Sequence, residues 1–179
     1  MALGNEVMLG WRVKDFCKVF GIKMLTKHEW SEGEKSFEFK EAVETLLPKT
    51  AFDTAHKNAL VKSGIAKNLR KPSEYPFNAD DRYVEGDTSK GKRTFALLSM
   101  EVAGDEIELG DRYPDDFIVG ISISGRYVPT YLDWRDPNGT LDTVSLDEMA
   151  KEIRIIRREI EKAEPRFKTA KFYVKMKFY

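Results

Sequence analysis

Residues 145–164 constrain this chain most, because both ends of a helix and its buried face can be read from them. Ser145-Leu146-Asp147-Glu148 has the spacing of a capping box. The Ser145 hydroxyl can accept from the Glu148 N–H while the Glu148 carboxylate reaches back. Leu146, Met149, Ile153, Ile156, Ile160 and Ala163 then recur at helical spacing and make one apolar stripe. Pro165 ends the helix, since the residue before a proline is driven out of the α region. At about 100° per residue, Lys151, Arg154, Arg158 and Lys162 share the opposite face. The pattern predicts a core side and a ridge of positive charge.

Upstream, the periodicity is helical. A helix capped by Asn5 would bury Leu9, Val13, Phe16, Cys17 and Phe20 and end at Gly21, with Ile22 folding back. A second pattern begins at Ser36 or Phe37, runs through Phe39, Ala42, Val43, Leu46 and Leu47, and is stopped by Pro48. Thr50-Ala51-Phe52-Asp53 resembles a helix start, with Phe52, Ala55, Ala59 and Leu60 as a short face before Gly64. Residues 71–81, with Pro72, Pro76 and paired aspartates, read as loop.

From about Arg82 the period becomes two. Residues 93–103, 117–124 and 126–134 are β-branched or aromatic runs bounded by turn residues, and Ser124-Gly125 suits a tight hairpin. Pro129 has no N–H and pushes its strand towards an edge. In residues 170–179, Phe172, Val174, Met176 and Phe178 alternate with Lys171, Tyr173, Lys175, Lys177 and Tyr179. The expected fold is α+β: N-terminal helices, then a mainly antiparallel sheet with the 145–164 helix packed on it and a C-terminal strand. At 179 residues one domain is expected, with a helical part over about 5–70 and a sheet-plus-helix part over about 82–179.

Thirty basic and thirty acidic residues cancel, but not locally. Residues 1–73 carry +4, 74–116 carry −7 and 117–179 carry +3. Separate zones of potential follow, not a uniformly basic coat for nucleic acid. Cys17 is the single cysteine and has no internal disulfide partner, which fits a reducing compartment. No apolar run approaches the ~18–20 residues of a membrane span, and the first ten residues lack a secretory pattern. A cytoplasmic protein without membrane contact is expected.

Several stretches imitate known sites. Gly86-Asp87-Thr88-Ser89-Lys90-Gly91-Lys92-Arg93 has the glycine and lysine spacing of a phosphate-binding loop. Arg93 stands where Ser or Thr would hold Mg²⁺, and a strand pattern follows instead of a helix. A hairpin turn explains it better. Asp136-Pro137-Asn138-Gly139 echoes part of a calcium loop, but Trp134 and Ser145 occupy the first and twelfth ligand positions. Glu38-Phe39-Lys40 has nuclease-like spacing without an upstream acid on a neighbouring strand. His28 and His56 make no cluster, and Cys17 falls on an apolar face. No catalytic constellation, cofactor site or metal site is therefore expected. Residues 13–30 place Cys17, Gly21 and Ile22 as in a helix-turn-helix, with Lys14, Lys18, Lys23 and Lys27 for phosphates. Lys27, however, falls where the second helix normally buries an aliphatic side chain.

What remains is surface chemistry. Residues 55–73 hold Lys57, Lys62, Lys67, Arg70 and Lys71 and no acid. Lys171, Tyr173, Lys175 and Lys177 set cations beside aromatics on the last strand, as single-stranded nucleic acid or an acidic protein patch requires. Lysine also routinely guards strand edges, and solvated faces often look like this. Opposed to them, Glu101, Asp105, Glu106, Glu108, Asp111, Asp115 and Asp116 stand in 101–116 against Arg112 alone. That run can meet a basic groove, form a solubilising rim, or complement the chain's own basic ends. The expected function is non-catalytic binding of a macromolecular partner through charged zones, with a protein-interaction module or inhibitor ahead. The alternative is a nucleic-acid-binding regulator using 13–30 or the basic faces. A compact accessory protein of bacterial or phage type fits, though no motif carries that idea.

Overall fold

A computed structural model describes residues 3–103, 117–123 and 146–178. The fold is α+β, and every strand pair among the described residues is antiparallel. The chain forms two compact units. One draws on Met1–Lys49, Ser99–Asp142 and Arg166–Tyr179, the other on Thr50–Leu98 and Thr143–Pro165.

The first unit starts with a strand, β1 (Leu3–Arg12), where the sequence pattern predicts a helix capped by Asn5. Its sheet has the order β5 (Met100–Ala103), β6 (Ile118–Ser122), β1, β7 (Lys171–Phe178). As an inner strand β1 is covered on both faces: Met8 and Leu9, which point opposite ways, are both fully buried. A strand buried on both sides loses the alternation that identifies strands, and its apolar run merges with the helix that follows. That helix, α1 (Val13–Phe20), ends as the sequence indicates. Gly21 adopts φ +67°, and the Ile22 N–H donates to the Cys17 carbonyl at 2.9 Å.

Two helices follow, a short α2 (Lys27–Ser31) and a longer α3 (Gly33–Leu46), the latter ending just before Pro48 as its sequence indicates. Trp30 is buried between Phe39 and Phe117, with ring centroids 5.5 and 5.1 Å away. At the other end of the sheet Trp11 meets Phe167 at 4.7 Å and Phe20 at 5.3 Å, and its indole N–H donates to Thr169 Oγ1 at 3.0 Å. This aromatic knot ties the short 3-10 turn Pro165–Thr169 to β1 and so positions the start of β7.

The second unit holds α4 (Asp53–Lys62), the three-stranded sheet β2 (Lys67–Arg70), β3 (Tyr83–Thr88) and β4 (Gly91–Ala96), and α5 (Leu146–Ala163). The 93–103 run expected as one strand is two, and they belong to different units: β4 ends at Ala96 and β5 begins at Met100. Leu97 and Leu98 between them are buried, and the Leu97 N–H donates to the Arg82 carbonyl at 2.7 Å. Helix α5 packs along α4 and ends before Pro165 as read. Ile156 and Ile160 are fully buried, Ile153 is half-buried, and Ala163 is exposed, so the core stripe is shorter than its spacing suggests. Ser145 of the capping box, the 126–134 strand and the Asp136-Pro137-Asn138-Gly139 turn lie outside the described residues.

Two substitutions test this packing. Ile156→Ala should cost about 2–5 kcal/mol through lost burial and a cavity. At Gly120 an added Cβ would sit 2.2 Å from the Leu9 carbonyl oxygen and 2.6 Å from Gly10 Cα, both backbone. Gly120→Ala should therefore cost about 3 kcal/mol, since strand backbones yield less than side chains. Gly33, exposed at the start of α3, is the control, because a methyl added there would meet no atom within 4 Å. Urea denaturation of the three variants checks the ranking. A Gly120→Ala midpoint equal to that of Gly33→Ala would mean β1 and β6 are not paired in this register.

Candidate functional site

Helix α5 carries the clearest charged surface. Lys151, Arg154 and Arg158 are exposed and, among the described residues, form no ion pair. The Arg154 Nε donates only to the Ala150 carbonyl, at 3.0 Å. At 1.5 Å per residue these three cations span roughly 10 Å of one helix face. Of the acids on this helix, Glu161 accepts from Arg157 Nε at 3.0 Å and Glu159 is 6% exposed, while exposed Asp147 stands four residues before Lys151 on the same face.

Glu159 is the residue the sequence pattern did not single out. Its Oε1 accepts from Lys62 Nζ of α4 at 2.5 Å and from Lys162 Nζ at 3.2 Å. The Lys62 hydrogen bond holds its carboxyl below the ordinary carboxylate range, against the opposing effect of burial, and Lys162 adds to this. In return Glu159 holds the Lys62 ammonium above its usual range. Lys162 therefore differs from the rest of the ridge, its ammonium being drawn to Glu159. The signal was faint: Glu159 lies about 60° from Ile156 on the helical wheel, at the border of the apolar stripe, where a buried acid requires a partner.

A second buried carboxylate organises the small sheet. Glu85, 3% exposed, accepts from Arg70 Nε at 2.6 Å and Ser73 Oγ at 3.1 Å, with Lys92 Nζ at 3.5 Å. Burial pushes its carboxyl up, but Arg70, Ser73 and Lys92 together hold it below the ordinary range. Arg70 also donates to Asp87 at 2.9 Å, and Asn68, at φ +54° in the irregular β2, donates to the same carboxylate at 3.1 Å. Of the basic stretch 55–73, Lys62 and Arg70 thus serve the fold. Lys57 and Lys71 line a cleft of about 370 Å³ with Arg70, Asp80, Asp81 and Tyr83, whose charges nearly balance.

The 86–93 segment is the β3–β4 hairpin, and Lys92 lies 3.4 Å from Glu74 and 3.5 Å from Glu85. Glu38, Phe39 and Lys40 lie on α3, so the nuclease-like spacing is helical. Among the described residues no three His, Cys, Asp or Glu side chains gather as metal ligands. Cys17 is buried, which pushes its thiol up and leaves it a poor nucleophile. The helix-turn-helix likeness fails in its second half. Helix α2 has five residues, about 7.5 Å, and follows a connection of six residues, 21–26, where the motif turns in three or four. Trp30 points into the core, leaving too little helix to read a groove.

In the other unit, Lys171 is exposed on β7 and Tyr173 is half-buried against Met8 and Ile118. Lys175 and Lys177 stand on the same strand, opposite Glu6 and Gly4 of β1. The ridge and the β7 residues therefore belong to different units. Of the acidic zone only Glu101 is described, on β5 opposite Gly120; Asp105, Glu106, Glu108, Asp111, Asp115 and Asp116 lie outside the described residues. Among the described residues no helix is long and apolar enough to cross a membrane. No protein-family model, curated protein or solved structure matches this chain.

The buried carboxylates make stability pH-dependent with a definite sign. A carboxyl held below its unfolded value contributes fully above that value and loses its contribution as pH falls through the lower, folded one. Thermal melts should show wild type losing stability as pH drops below about 4, the ordinary carboxylate value. Glu159→Gln should be less stable at neutral pH, and its gap to wild type should narrow as the solution is acidified. Parallel curves for the two proteins down to acid pH would show that Glu159 is not held charged.

Proposed function

We propose that this is a non-catalytic intracellular binding protein, and that α5 docks an acidic surface of a protein partner through Lys151, Arg154 and Arg158. One observation carries this reading: three exposed cations on successive turns of one helix remain unpaired among the described residues, while Glu159 and Glu161 are turned to other partners. Unpaired cations keep their potential available for steering, which raises association rates and selects oppositely charged partners. A free thiol at Cys17 fits the reducing interior.

Nucleic acid competes for the same cations. A discrete acidic patch suits the ridge better, because the chain is neutral overall and residues 74–116 carry −7. A duplex presents one charge per ~1.7 Å, far more than three cations over roughly 10 Å of helix can neutralise. Inhibition of a basic partner through the acidic side chains of 105–116 belongs to the same class of function and requires its own variant.

The test is affinity capture from host extract, with and without nuclease, using wild type and the triple variant Lys151→Glu/Arg154→Glu/Arg158→Glu. A protein retained after nuclease and lost in the triple variant is expected, with the melting temperature nearly unchanged because exposed side chains away from packed contacts usually change stability by only about 0.5 kcal/mol each. Neutralising Asp105, Glu106, Glu108, Asp111, Asp115 and Asp116 should leave that capture intact. Direct duplex binding by wild type, with a log–log salt slope of ~0.9 per phosphate and loss in the triple variant, would establish the nucleic-acid reading instead. Equal capture by both proteins would remove the ridge from any binding role.

A further inference from the structure

We infer that the outer edge of β7 takes an extended, acidic segment of a protein partner by strand addition. This stands apart from the α5 ridge, because β7 belongs to the other unit. The strand is eight residues long and pairs with β1 in unbroken antiparallel register, from Gly10 opposite Lys171 to Leu3 opposite Phe178. Among the described residues its other side carries no strand. In an antiparallel ladder alternate residues direct N–H and C=O away from the neighbour, so about four residues of β7 present backbone groups outwards. These are the groups by which strand addition gains its affinity.

Two side-chain features say what the added strand should be. Val174 is 71% exposed, an apolar contact open to an incoming chain. At the start of β7 lies a cleft of about 250 Å³ lined by Lys18, Lys171, Tyr173, Asp15 and Trp11. That is below the ~300–1,000 Å³ usual for small-molecule sites, and suits one side chain of a docked chain. Its two lysines face a single aspartate and form no ion pair among the described residues, so the cleft favours a carboxylate. Trp11 is 3% exposed and already packed against Phe167 and Phe20, which leaves no open indole platform for stacking a nucleobase.

Lysine on an edge strand is commonly a guard against pairing, and here the guard is selective. A positive edge repels a second positive strand, including β7 of another copy, yet attracts an acidic one. Charge complementarity therefore favours an acidic partner over self-pairing.

The experiment measures binding and backbone amide exchange of the full chain with three extended peptides. One alternates Glu and Val, one alternates Lys and Val, and one is the Glu-Val peptide N-methylated on alternate amides. The Glu-Val peptide should bind, more tightly at low salt, and slow exchange along β7. The other two should not bind, and Lys18→Glu/Lys171→Glu should weaken the Glu-Val complex at least about tenfold. The N-methylated control uses wild-type protein, so the result does not depend on how the variant folds. No Glu-Val binding, equal binding of the N-methylated peptide, or protection on α5 instead of β7 each overturns the inference. The last of these would leave the ridge proposal standing. Protection of β7 on concentrating the protein alone would identify a second copy as the occupant, and displacement by single-stranded DNA with the same protection would identify nucleic acid. Either outcome also overturns it.

Discussion

Where β1 passes β6, Gly10 and Gly120 face each other so closely that neither position admits a Cβ without meeting backbone. The first unit depends on that approach. It sets the register that puts Trp11 against Val119 and Leu9 against Ile121, all buried. With β1 seated, its other edge is the template for β7, so segments near the two ends of the chain lie side by side. Strand pairs this distant in sequence form only after a large loop-closure entropy has been met, which makes a tight central register valuable.

In the second unit the organising interactions are ionic. Glu159 joins α5 to α4 through Lys62, and Glu85 joins β3 to β2 and to the loop at Ser73. Buried ion pairs are weak evidence for net stability, since desolvation opposes the attraction, but breaking one by removing a partner leaves an uncompensated charge. They are therefore better understood as devices that specify which elements meet. They also divide the basic residues into two groups. Lys62, Arg70, Lys92 and Lys162 have carboxylate partners, whereas Lys151, Arg154 and Arg158 have none among the described residues, and this division isolates the ridge from the general basicity of the helix.

The charged surfaces of the two units differ in kind. The α5 ridge offers charge on a regular, self-satisfied backbone, so a partner gains steering and ion pairing from it. The β7 edge offers backbone hydrogen bonds with a few cations as selectors, so a partner there must itself be extended.

Much of the local structure was legible in the sequence. The ends of α1 at Gly21, α3 before Pro48 and α5 before Pro165 follow from φ > 0 and proline constraints that no tertiary context alters. The strand β7 was readable from its alternation, and the cations of α5 from their helical spacing. What the sequence did not reveal depends on distant partners. β1 resembled a helix because burial on both faces erased its period. β2 was hidden because its hydrogen bonds and the Arg70–Glu85 pair, not an apolar pattern, make it a strand, whereas β3 was foreshadowed by the hairpin turn at 86–93. The 93–103 run read as one strand because alternation is blind to the change of sheet at Leu97 and Leu98. By itself the sequence determined where helices stop and which residues are charged, since these are properties of neighbours within a few bonds. Only the tertiary structure decided which of those charges are already paired, because Lys62 and Glu159 are separated by 97 positions in the chain and meet only once α4 and α5 are packed.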